Sequence, residues 1–138
     1  MMGTITTKGV ETLIEGLGDL ASIPDGVIDE MLNAEADVIV SAQQASARTM
    51  GVYNTGTTAR SIKKGKTKKT ATEKSITVSP QGTNAKGNRN ATVAFINEYG
   101  KKSQRARPFI QTANKKAEQE AGEAGEKVYK AYLDSKNL

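Results

Sequence analysis

From Asp25 to Met50 the chain has no proline and a single glycine, Gly26, and its apolar residues fall on one side of a helix. Ile28, Met31, Leu32, Val38, Ile39, Ala42 and Ala45 recur at intervals that a 3.6-residue period gathers into one stripe. Pro24 suits a first helical turn, Asp25 and Asp29 sit near its positive end, and Gly51 stands where a left-handed cap is expected. The pattern predicts a helix over Pro24 to Met50. At 1.5 Å per residue it is a rod of roughly 40 Å. Any fold of this chain must cover one stripe of that rod and leave an end or face to project or meet a neighbour.

Pro108 opens a second long pattern, to about Leu133. Ile110, Ala113, Ala117, Ala121, Ala124, Val128 and Ala131 share its inner face, and their small size lets another segment come close. Before the rod, Val10, Leu13, Ile14, Leu17 and Leu20 also share a helical face, which predicts a helical N-terminal segment within residues 1–22. Gly16 and Gly18 weaken it by about 1 kcal/mol each. Lys74 to Pro80 alternates as a half-buried strand. Ala91 to Tyr99 is apolar at Val93 and Phe95 on one side and Ala94 and Ile96 on the other, so it reads as a central strand. Residues 63–74 and 81–90 read as mobile loops. Helix, helix, strands, helix is an α+β order: a small antiparallel sheet with a long helix in the N-terminal half and a C-terminal helix packed on it. The 138 residues are expected to form one domain, residues 1–138. With 36% hydrophobic and 4% aromatic residues, the core should be small and aliphatic, with some apolar surface left for partners.

The net charge of +5 conceals a strong asymmetry. Residues 1–59 carry −6, residues 60–107 carry +11, and residues 108–138 carry 0. A basic middle suggests a surface for something anionic, either DNA or an acidic protein face. Arg60, Lys63, Lys64, Lys66, Lys68, Lys69 and Lys74 are close in sequence. Lys86, Arg89, Lys101, Lys102, Arg105 and Arg107 join them if their two loops share one end of the sheet. Such a patch would hold phosphates without sequence preference. Aromatic residues do not interleave with it, so stacking on single strands is not expected.

Histidine and cysteine are absent, which removes the usual general base, the thiolate nucleophile and the commonest transition-metal ligands. No catalytic residue, cofactor site or metal site is expected. Asp25, Asp29 and Glu30 read as dipole-favouring acids at a helix start, and Glu118, Glu120, Glu123 and Glu126 as a solvated face. Gly65-Lys66-Thr67 ends like a phosphate loop, but Arg60 stands where its first glycine belongs. Ser61-Ile62-Lys63-Lys64 lacks the companion motifs of the penicillin-binding enzymes. Asn90-Ala91-Thr92 has no signal peptide to bring it to glycosylation, and the N-terminus has no apolar run. The chain is expected to be soluble and made in the cytoplasm, with no membrane partner.

Two stretches carry a family resemblance. Tyr53 to Lys64, "YNTGTTARSIKK", has Thr-Gly followed by Arg-Ser-Ile. Val93 to Ala113, "VAFINEYGKKSQRARPFIQTA", has Glu-Tyr-Gly, a polar loop, then Ala-Arg-Pro-Phe before a helix. Together they resemble the neck and tail-completion (head–tail joining) proteins of long-tailed bacteriophages, over about residues 30–130. In the first motif Thr58 or Ala59 stands where that family usually has leucine. The resemblance implies a structural virion protein rather than an enzyme. It implies a homo-oligomeric ring, a hexamer, between the head connector and the tail tube, assembled in the bacterial cytoplasm, through which double-stranded DNA passes. It gives Glu98, Tyr99 and Gly100 the task of ending the central strand and turning the chain. Arg107, Pro108 and Phe109 would lock the start of the last helix. Glu98 is the lone acid between Glu73 and Glu118, so an ion pair with Arg105 or Arg107 is expected. Arg60, Lys63, Lys64, Lys66, Lys68, Lys69, Lys101, Lys102 and Arg105 are the candidates for contact with a partner or DNA. Two other readings stay open: a terminator capping the tail tube, and a small non-specific nucleic-acid-binding protein.

Overall fold

The structure, a computed structural model, describes residues 3–16, 23–52, 56–70 and 73–136. The N-terminal segment is a β-hairpin, not a helix: β1 (Gly3–Lys8) pairs antiparallel with β2 (Glu11–Gly16). Gly9 and Val10 make the two-residue loop, with Gly9 at φ 62° and Lys8 opposite Glu11. Glycine takes this positive φ without the strain a Cβ would bring. Thr4, Ile5, Thr6 and Thr7 are β-branched and favour the extended chain. In β2 the buried residues are Thr12, Ile14 and Gly16, a period of two. The helical spacing of Val10, Leu13 and Ile14 is therefore coincidental. Leu17 and Leu20 lie outside the described residues.

The rod is present as α1 (Asp25–Thr49), and Gly51 follows it at φ 73°. Ile28, Met31, Leu32 and Ile39 of its stripe are buried, Val38 and Ala42 half-buried, and Ala45 exposed. After it come α2 (Thr57–Ser61), β3 (Ile62–Lys64), β4 (Lys68–Lys69) and β5 (Lys74–Pro80). Residues 63–74, expected to be a loop, thus contribute residues to three strands. The sheet is antiparallel in the order β1-β2-β5-β3, with β4 also on β5. Val78 faces Thr12 on one side and Lys64 on the other, and Lys74 faces Gly16 and Lys69. β3 and β4 therefore form one interrupted edge, joined where Gly65 N–H donates to Thr77 O at 2.7 Å.

Ala91 to Tyr99, expected to be the central strand, lies in a helix, α3 (Asn90–Tyr99). Its inward residues are Asn90, Ala94 and Glu98, spaced by one turn each. Phe95 and Tyr99 face outward at 51% and 47% exposure, their ring centroids 4.8 Å apart. Hydrophobicity and burial are thus out of phase here, which hides a helix from a pattern reading. The central strands are instead β2 and β5. The last helix, α4 (Phe109–Ser135), begins after Pro108 as expected.

One core joins the inner face of the sheet (Ile14, Ile62, Ile76, Val78) to α1 (Ile28, Leu32, Ala36, Ile39) and α4 (Phe109, Ile110, Ala117, Ala121). Polar groups are buried within it. Gln43 Nε2 donates to Thr12 Oγ1 at 3.0 Å and Asn114 Oδ1 at 2.9 Å. Asn114 Nδ2 donates to Thr7 Oγ1 at 2.7 Å and Thr12 Oγ1 at 2.9 Å. This network fixes the hairpin between the two long helices. Glu35 of α1 is 1% exposed and lies against Gly125 of α4, where a Cβ would come within 2.9 Å of Glu35 Cδ and Oε2. The small residues of α4 thus make room for a side chain of α1.

Candidate functional site

Glu98 and Gly100 of Glu-Tyr-Gly meet the Arg-Pro-Phe residues in one junction between α3 and α4. Glu98 is 2% exposed. Its Oε1 accepts from Ile110 N–H at 2.8 Å and its Oε2 from Gln111 N–H at 3.1 Å. These donors belong to the first turn of α4, which has no partners of its own within the helix. A carboxylate there also faces the positive end of the helix dipole. The expected ion pair with Arg105 or Arg107 is replaced by this backbone cap, because both oxygens are taken and turned inward. Burial pushes the Glu98 carboxyl above the usual carboxylate range, and the two N–H donors pull against that rise. A buried hydrogen bond to a charged group contributes about 1.5–3 kcal/mol.

Gly100 ends α3 at φ 78°. A Cβ there would sit 2.8 Å from Ala106 N and 2.9 Å from Gln104 O. The following turn closes between Lys101 and Gln104, each donating its N–H to the other's carbonyl, at 2.9 and 3.0 Å. Gln104 Nε2 then donates to Asn97 Oδ1 at 3.0 Å, and Arg107 N–H to Asn97 O at 2.6 Å. Phe109, the first residue of α4, is fully buried in the core. Arg107 turns the other way, with Nη1 donating to Gly51 O at 3.2 Å. Tyr99 does not enter the junction; its hydroxyl reaches Gly9 O at 3.4 Å.

The basic residues divide into two groups. Lys64, Lys69 and Lys74 share the inner face of the sheet and meet acids of α1. Lys64 pairs with Asp37 at 2.8 Å, Lys69 with Asp25 at 2.8 Å, and Lys74 with Asp29 at 2.6 Å. The Lys69 ammonium holds the Asp25 carboxyl below its usual range. Asp25 and Asp29 are therefore counter-charges for the sheet edge as well as dipole residues. Lys63, Lys66 and Lys68 are exposed and have no ion pair among the described residues. Arg60 extends over Gly56, where a Cβ would be 2.6 Å from Nη1.

The second group gathers at the α3–α4 junction. A cleft of about 400 Å³ lies between the 82–89 loop, α2, α3 and the 101–107 loop. Lys86 and Arg107 both line it, so the two basic loops do meet. Asn84 shapes the first: its Oδ1 accepts from Lys86 N–H and Asn88 N–H, both at 3.0 Å. From Lys74 to Ala117 the sequence contains one acid, Glu98, and that acid is buried. The exposed charged side chains of the two loops are accordingly all cationic: Lys86, Arg89, Lys101, Lys102, Arg105 and Arg107. Sequence reasoning missed Asn90, Asn97 and Gln104 as parts of the cleft. With α3 read as a strand, their common face could not be seen.

Among the described residues no cluster of acids could hold a metal ion, and no helix is long and apolar enough to cross a membrane. The chain matches no family model, no curated protein and no solved structure.

Proposed function

We propose that the protein is a structural subunit of the neck of a long-tailed bacteriophage virion. It forms a ring that completes the tail and joins it to the head connector, with double-stranded DNA passing through. Its action is assembly, not catalysis. The observation that carries this reading is that four of the motif residues on which the resemblance rests come together at one place. Glu98, Gly100, Arg107 and Phe109 act as one joint, setting the angle between α3 and α4. Such a joint presents a fixed surface to a neighbour, as a ring subunit requires.

Sedimentation of the purified chain over a range of concentrations, together with complementation of tail attachment, tests the reading. The expected result is a closed oligomer, a hexamer, and loss of tail attachment when the chain is absent. A species that stays monomeric at high concentration and binds duplex DNA with a steep salt dependence would replace it with the non-specific nucleic-acid reading. Co-sedimentation with tail tubes but not with connectors would assign it to the tube terminus.

A further inference from the structure

We infer that the cleft between α2, α3 and the two basic loops is a binding site for an extended, carboxylate-rich peptide segment of a partner protein. Its volume of about 400 Å³ falls in the range of specific ligand sites, roughly 300–1,000 Å³. Two cations line it from separate loops, Lys86 and Arg107, and no exposed acid lies between Lys74 and Ala117 to compete for them. The main-chain N–H of Arg107 is anchored on Asn97 O, and its side chain donates from Nη1 to Gly51 O, so part of the side-chain freedom is already spent before binding.

The remaining lining favours a peptide over the phosphate backbone of a duplex. Asn90 and Gln104 each use their amide nitrogen internally, on Gln81 O and Asn97 Oδ1. Their carboxamide oxygens, Asn90 Oδ1 and Gln104 Oε1, have no partner among the described residues. These oxygens are acceptors and need donors. A peptide main chain brings N–H groups as well as carboxylates. A phosphate backbone brings acceptors alone. A B-form duplex is also convex and too wide to enter a cleft of this size, so it would touch only the rim. The acidic side chains of the occupant would meet Lys86 and Arg107 while its N–H groups meet the two amide oxygens. The site itself does not depend on the neck reading; the occupant's identity as a loop or tail of an adjoining assembly protein rests on it.

The test uses the full chain and fluorescence anisotropy. The probe is a labelled synthetic peptide of alternating glutamate and serine, with a glutamine-for-glutamate peptide and a short labelled DNA duplex beside it. The glutamate peptide is expected to bind at low salt and the glutamine peptide not to. Lys86→Glu and Arg107→Glu should each weaken binding by about tenfold or more, while Lys66→Glu, away from the cleft, leaves it unchanged. Lys86 is exposed and its side chain makes no bond among the described residues, so its variant remains informative if Arg107→Glu fails to fold. Equal binding of both peptides, or variants that bind like the parent chain, would overturn the inference. So would duplex binding that the same two substitutions abolish while the glutamate peptide stays free. Failure here with ring formation intact removes the cleft proposal alone. Peptide binding by a chain that never oligomerises removes the neck reading and leaves the site.

Discussion

Glu35 is the residue whose surroundings most oppose its chemistry. It is 1% exposed, its Oε1 has no hydrogen-bond partner among the described residues, and burial pushes its carboxyl up to about 7 from an ordinary 4.5. The folded chain therefore holds a proton that the unfolded chain has already released between those two values. Stability contributed by the neutral form is fully present below pH 4.5 and is lost as pH rises to about 7. The gap corresponds to about 3 kcal/mol. The thermal midpoint should fall as pH is raised from 5 to 8, and Glu35→Gln should flatten that fall, which calorimetry across the range would check. Nothing in the sequence marks this residue. Glu35 interrupts the α1 stripe as a polar residue, and only the absence of a side chain on Gly125, far along the chain, makes room for it. Gln43 was hidden in the same way, because its partners Thr12 and Asn114 come from two other elements.

At the level of elements, legibility followed the agreement between hydrophobicity and burial. The α1 and α4 helices were visible because long apolar stripes coincide with Pro24, Gly51 and Pro108 at their ends. The β5 strand was visible as alternation over Lys74–Pro80. In α3 the inward positions are an asparagine, an alanine and a glutamate, while a phenylalanine and a tyrosine face out, so the pattern pointed the wrong way. The β1–β2 hairpin was missed because a threonine and a glycine bury beside Ile14. The candidate site lost most from these errors. Its motif residues were named, but the Glu98 cap and the amide lining require α3 to be a helix. The α1–α4 contact supplies a test of its own. Gly125→Ala gains about 1 kcal/mol of helix propensity yet should destabilise the fold by about 1–2 kcal/mol net, because the new methyl meets Glu35. Adding Glu35→Ala should recover part of that loss, so the two substitutions are non-additive in chemical denaturation.

The whole molecule has two cationic regions with different assignments. Along the β3–β4 edge, Lys64, Lys69 and Lys74 are bound to α1, and Lys63, Lys66 and Lys68 remain in solvent. Lysines on a sheet edge discourage pairing with a second sheet. Charge reversal of Lys63, Lys66 and Lys68 should change the unfolding free energy by no more than about 0.5 kcal/mol per substitution. Reversal of Lys64, Lys69 and Lys74 should lower it, because each then faces an α1 acid of like charge. On the neck reading proposed above, tail attachment that survives the first set would argue against a partner contact at this edge. The closure of the core has a further consequence. The stripe of α1 is completed by α4, the last element of the chain, so these contacts span most of its length. Long-range closure of this kind slows folding. On the ribosome, the part of the α1 face that α4 covers waits exposed until that helix emerges, and a chain stopped before Phe109 has only the sheet and α2 to lay against α1.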